Sequence, residues 1–119
     1  MLFNSEGYFC EGEVEKDWQF RMYFGRIIVT NQDLLLLKKT KINLIEINIE
    51  IKNANEGYKI PFLKINKAQS VKKGKIYSIL IETTDGYLFS ITFAEYRKSG
   101  KRKCLELTEL INKNILKSF

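Results

Sequence analysis

The chain has 119 residues but no histidine, only one proline and only two cysteines. Without an imidazole, neither a Ser-His-Asp nor a Cys-His arrangement for nucleophilic catalysis can be built. Structural zinc usually takes four Cys, His or carboxylate ligands, and Cys10 and Cys104, at opposite ends of the chain, do not supply such a set. They read as small buried hydrophobes, with no disulfide expected in a reducing compartment. Apolar runs are short: none approaches the ~20 residues that cross a bilayer. Residues Met1 to Glu6 lack the basic region and apolar core of a signal peptide, so a cytoplasmic location is expected. The glycines, at positions 7, 12, 25, 57, 74, 86 and 100, never fall at a phosphate-loop spacing. No cofactor, metal or small-molecule substrate is expected, and the chain does not read as an enzyme.

What is present describes a folded protein. Apolar residues make up 45% and charged residues 29% of the chain, the balance of a globular domain and not of a disordered one. The length suits one domain, 1–119, with its own core. The net charge of +6 favours an anionic partner: nucleic acid, an acidic protein or an acidic membrane surface.

The stretch Gly25 to Lys39 organises the rest. Its two apolar runs flank a polar break, Thr30 to Asp33, which predicts two antiparallel strands joined by a tight turn. This hairpin sets Ile27, Val29, Leu34 and Leu36 on one face and Ile28, Leu35 and Leu37 on the other. With both faces apolar, the outer one needs cover, from the C-terminal helix, from strong coiling of the sheet or from a second chain.

Before it, Tyr8 to Phe24 alternates with period two, its even positions mostly apolar, so the even face is expected to be buried and the strand to bend near Glu15 to Asp17. Glu11, Glu13, Glu15 and Asp17 share the other face. Carboxylates in line on a strand stand ~6–7 Å apart and do not converge on a cation, so a solvated acidic face is expected. Asn43 to Ile51 alternates as a further strand, and Asn53 to Gly57 reads as a loop with Gly57 at positive φ. Tyr58 to Ile65 predicts another strand, placed at an edge or bulge by Pro61. Lys67 to Lys75 reads as an irregular basic connection. In the hairpin Tyr77–Phe93, a three-residue loop, Thr84-Asp85-Gly86, pairs Ile81 with Phe89 and Ile79 with Ile91. That register collects the aromatic residues on one face, leaves Leu80 and Leu88 on the other, and gives Gly86 positive φ. After Ser99, a plausible N-cap, Lys101 to Leu116 predicts a helix with Cys104, Leu107, Leu110, Ile111 and Ile115 on one stripe.

These pieces together resemble the bacterial pleckstrin-homology-like and GRAM domains. Gly25, the Ile/Val run, Thr30-Asn31 and the leucine run look like the second and third strands of that family. Ile60-Pro61-Phe62 with Ile65, the Asp85-Gly86 hairpin and the amphipathic last segment follow in the family's order. Where the family often has Lys-Arg after Thr-Asn, this chain has Gln32-Asp33. The resemblance spans 18–116 and implies a mainly β fold: a barrel of about seven antiparallel strands in two near-orthogonal sheets, capped by one C-terminal α-helix. It also implies a non-catalytic binding or assembly module that meets a protein partner or a membrane surface, often through self-association. The Lys-then-Arg-x-Arg pattern of lipid-headgroup members is missing, although Arg21 and Arg26 are present, so phosphoinositide binding does not carry over.

Two basic groups remain. Arg97, Lys98, Lys101, Arg102 and Lys103 crowd the start of the expected helix, where cations oppose the helix dipole; they read either as a solvated basic turn or as a site that an anion would complete. Lys64, Lys67, Lys72, Lys73 and Lys75 surround the irregular connection. The candidate interface is Ile28, Leu35, Leu37, Leu80 and Leu88. The alternative function is a small basic nucleic-acid-binding β-barrel; it calls for aromatics interleaved with the basic residues, and only Tyr96 beside Arg97 offers one.

Overall fold

The computed structural model describes residues 2–13, 22–38, 57–73, 76–93 and 97–117. The expected bend at Glu15–Asp17, the strand over Asn43–Ile51, and Trp18, Lys75 and Tyr96 lie outside the described residues, and Arg97, Lys98, Ser99 and Lys73 are described by their backbone alone. The described residues form seven strands: β1 (Phe3–Glu11), β2 (Tyr23–Val29), β3 (Asp33–Lys38), β4 (Gly57–Pro61), β5 (Ile65–Lys73), β6 (Ile76–Thr83) and β7 (Leu88–Thr92). A 3-10 turn, Phe62–Lys64, separates β4 from β5, and helix α1 (Arg97–Lys117) follows β7.

The strands form one antiparallel sheet in the order β4-β3-β2-β1-β7-β6-β5. The two sheets expected from the resemblance are therefore continuous. β1 is the reason: its residues Phe3 to Phe9 pair with β2 and its residues Tyr8 to Glu11 pair with β7. Among the described residues the sheet is not closed, with β4 and β5 at its two edges.

The β2–β3 hairpin takes the register its pattern asks for, with Ile27 opposite Leu36 and Val29 opposite Leu34. Neither turn residue has positive φ, so this is not the primed turn that two-residue hairpins favour. Thr30 compensates: its hydroxyl accepts the N–H groups of Gln32 at 3.2 Å and Asp33 at 3.0 Å. The β6–β7 hairpin also keeps its expected register, Ile79 opposite Ile91 and Ile81 opposite Phe89, and Gly86 has φ +88°. Gly57 takes positive φ as expected, and Pro61 lies on an edge strand.

Four expectations are corrected. Up to Phe9 the more buried face of β1 is odd, not even: Phe9 has no exposed surface, while Tyr8 meets Phe24 in a tilted ring contact at 5.1 Å across the other face, where Cys10 alone is buried as expected. Pairing decides this, because Phe9 sits opposite Ile91 and its ring meets those of Tyr23 and Tyr58. Tyr58 to Ile65 is not one strand; Pro61, which cannot donate to a ladder, ends β4 and the chain turns at Phe62. Lys67 to Lys73 is not irregular but the body of β5, paired with β6 along its length. The helix begins at Arg97, so Ser99 lies within its first turn and Gly100 is buried there.

The core lies between the inner face of the sheet and α1. Cys104, Leu107 and Ile111 are fully buried and Ile115 nearly so, packed with Ile65, Ala68, Ile79 and Ile81. Leu105 and Leu116, opposite the stripe, are exposed. Both cysteines are buried, and neither forms a disulfide. The 3-10 turn ties two hairpin loops together: the Phe62 N–H donates to the Gln32 carbonyl at 3.0 Å, and the Thr84 N–H donates to the Lys64 carbonyl at 2.8 Å.

Candidate anion-binding face

With β5 recognised as a strand, the two basic groups of the sequence meet. Lys72 lies near the end of β5, and its cross-strand partner on β6 is Tyr77. The first turns of α1 pass the same ring. Lys72 Nζ and Lys101 Nζ each stand 5.5 Å from the centroid of Tyr77. A tyrosine ring attracts an ammonium group through its quadrupole, so one ring fixes two cations from segments distant in sequence. The two ammonium groups are no more than about 11 Å apart, comparable to a Debye length of roughly 8 Å, so one anionic surface senses both. Arg102, on the next position of α1, is exposed.

Among the described residues, no acidic side chain pairs with this face. The first turn of α1 contains no acidic residue. The ion pairs among the described residues are Arg26–Glu6, Lys59–Asp33 and Lys67–Glu82, and none uses Lys72, Lys101 or Arg102. Lys103 acts differently. Its Nζ donates to Ser5 Oγ at 3.0 Å and lies over the Phe93 ring, tying α1 to β1. It belongs to the packing more than to the face. Of the second basic group, Lys64 and Lys67 are exposed at the other end of β5, and Lys67 is 3.7 Å from Glu82.

The candidate apolar interface is dispersed. Ile28 and Leu37 are buried at 6% and 2% exposure within the single chain, while Leu35 is half-buried. Leu80 and Leu88 are half-buried on β6 and β7. β1 separates the two groups, since Ile28 pairs with Asn4 at one end of it and Leu80 pairs with Ser90, opposite Cys10 near the other. At ~3.4 Å per residue, that offset alone is about 20 Å. Polar residues among them are satisfied internally: Ser90 Oγ donates to the Gly12 carbonyl at 2.6 Å and Thr92 Oγ1 to the Tyr77 carbonyl at 2.8 Å.

A second ring cluster, Phe9, Tyr23, Tyr58 and Phe89, lies on the inner face. Phe9 and Phe89 are buried, and Lys38 Nζ already occupies the Tyr23 ring at 3.8 Å. The Tyr58 hydroxyl is held above its ordinary range by burial, with the Glu11 carboxylate adding to it. Burial also pushes the Cys104 thiol up to about 11, offset in part by a backbone hydrogen bond from Phe93, so this sulfur is not poised as a nucleophile.

Sequence reasoning missed Tyr77 and the meeting of the two basic groups on it. No local motif marks that ring; its role depends on β5 being a strand beside α1. Compared with protein-family models, curated proteins and solved structures, the chain matches none.

Proposed function

We propose that this chain is a non-catalytic binding module with a pleckstrin-homology-like barrel, engaging an anionic partner through Lys72, Lys101 and Arg102. The observation that carries this reading is the convergence of β5 and α1 lysines on Tyr77, with no carboxylate among the described residues paired to either. The barrel reading draws support from the strand order. β1 serves two successive meanders, β1 to β4 and β5 to β7, and a three-residue turn carries the chain from one edge of the sheet to the other. A C-terminal helix packed on β5, β6 and that turn is the family's closing element. The absence of histidine from the sequence favours binding over acid–base chemistry near neutral pH.

Self-association through Leu35, Leu80 and Leu88 draws less support, because β1 separates these residues. A nucleic-acid role would call for rings open to base stacking, and Tyr77 is half-buried beneath two ammonium groups. The test is retention of the full chain on an anionic matrix across a salt series, compared with a Lys72→Glu/Lys101→Glu variant. Retention should fall steeply with salt, and the variant should lose at least about tenfold in affinity. Equal retention of the two proteins would overturn the assignment of the face.

A further inference from the structure

The rim of β5 adds a second chemistry beside this face. Ala68 turns its backbone N–H and C=O away from β6, and the Asn112 carboxamide meets both. The N–H donates to Asn112 Oδ1 at 3.1 Å, and Asn112 Nδ2 donates to the carbonyl at 2.9 Å. One residue exchanging both bonds with one partner is how a neighbouring antiparallel strand pairs. Asn112 thus stands where another strand's peptide group would be.

Backbone direction alternates along a strand, and the register from Lys67 to Lys73 is unbroken. The N–H and C=O of Ser70 and Lys72 therefore point the same way as those of Ala68. Among the described residues, no further strand pairs with β5 on that side. A long strand edge of this kind is a template for pairing, which proteins ordinarily cover or blunt. The other edge is less suited: β4 has five residues and ends at Pro61, which has no N–H.

We propose that the β5 edge from Ala68 to Lys72 accepts an extended acidic peptide as an added strand, with Asn112 as a removable placeholder. This rests on the reading of Lys72 and Lys101 as an anion-binding face. Lys72 and Lys101 meet over Tyr77 at one end of this edge, so carboxylates on the incoming strand meet positive charge there. A lipid headgroup is the poorer match. Its phosphate offers acceptors only, whereas the outward carbonyls of Ser70 and Lys72 require donors, which a peptide backbone supplies at the same period. Displacing Asn112 exchanges two hydrogen bonds for two, so the placeholder yields without loss of bonding at Ala68.

The experiment uses the full chain, isotope-labelled, titrated with a peptide of about ten alternating glutamate and valine residues, and separately with phosphatidylserine vesicles. Ser70→Pro removes one outward N–H, at a position where an edge strand tolerates proline, and Ser70→Ala controls for its hydroxyl bond to Thr108 at 2.7 Å. The peptide should slow exchange of the Ser70 and Lys72 amides, and Ser70→Pro should weaken peptide binding about tenfold relative to Ser70→Ala while leaving vesicle binding unchanged. Asn112→Ala should bind the peptide more tightly than the native chain. Equal peptide affinity for Ser70→Pro and Ser70→Ala overturns the strand-addition site. If vesicles bind, lose affinity in Lys72→Glu/Lys101→Glu, and the peptide binds neither native chain nor Asn112→Ala, the inference falls and the face survives. If Lys72→Glu/Lys101→Glu changes neither ligand, both fall.

Discussion

Replacing Ile111 with alanine tests whether α1 is an integral wall of the core. Ile111 is fully buried, flanked on its own helix by Leu107 and Ile115, within a cluster that includes Ile65, Ile79 and Ile81. The substitution removes three carbons, each worth about 0.8 kcal/mol in transfer, for about 2.4 kcal/mol. The surrounding β-sheet is a fixed surface that relaxes little, so a cavity contribution raises the loss to about 3–4 kcal/mol, inside the usual range of about 2–5. Urea unfolding read by tryptophan fluorescence and by far-UV circular dichroism should give a lower midpoint with an unchanged slope. Leu105→Ala, on the exposed side of the same helix, should lose under about 1 kcal/mol. An Ile111→Ala loss below about 1 kcal/mol would mean that α1 does not dock on the sheet in solution, and the core described above would be wrong.

Two glycines should respond differently to alanine. Gly86 has φ +88° with open space around it, so Gly86→Ala should cost only its backbone preference, about 1–2 kcal/mol by urea titration. A Cβ on Gly25 would collide with the Leu37 carbonyl across the β2–β3 ladder, so Gly25→Ala should cost more than about 3 kcal/mol or leave no folded protein. Cys104 supplies a pH test. Its thiol is pushed up from 9.0 to about 11 on folding, so the folded state holds this proton more tightly than the unfolded one. Its stabilising share is complete below pH 9.0, declines as pH rises towards about 11, and amounts to about 2–3 kcal/mol. The difference in unfolding free energy between native and Cys104→Ala should shrink over that interval; a constant difference would refute the burial argument.

How far the sequence speaks depends on where each residue's neighbours come from. Both readable hairpins, Ile27–Leu36 and Ile79–Ile91, have apolar partners on both strands, so register follows from pattern alone. β5 is illegible in the sequence because its inner positions face a helix lying close to an edge. Ala68 and Ser70 are small so that Asn112 and Thr108 can reach them, and that removes the apolar alternation that marks a strand. The pattern puts Phe9 on the wrong face for a related reason. The alternation of Tyr8 to Phe24 runs on without a break, yet β1 ends at Glu11 and Gly12 follows at φ +87°. The basic face is half legible: its lysines stand out in the sequence, but Tyr77, which gathers them, becomes visible only once β5 and β6 are paired.

The position of β1 between β2 and β7 also governs the order in which the fold can be completed. β1 to β4 can pair as a local meander while the chain is being made. The other edge of β1, at Tyr8 to Glu11, has to wait for β7, which is made after every other described strand of the sheet. Contacts of such wide sequence separation slow folding, because the loop between them must be closed before they return any stabilisation. Until then the inner faces of Phe9 and Ile27 lack their lid. The nascent half-sheet therefore presents an unpaired strand beside apolar surface, the combination most exposed to aggregation or to chaperone capture.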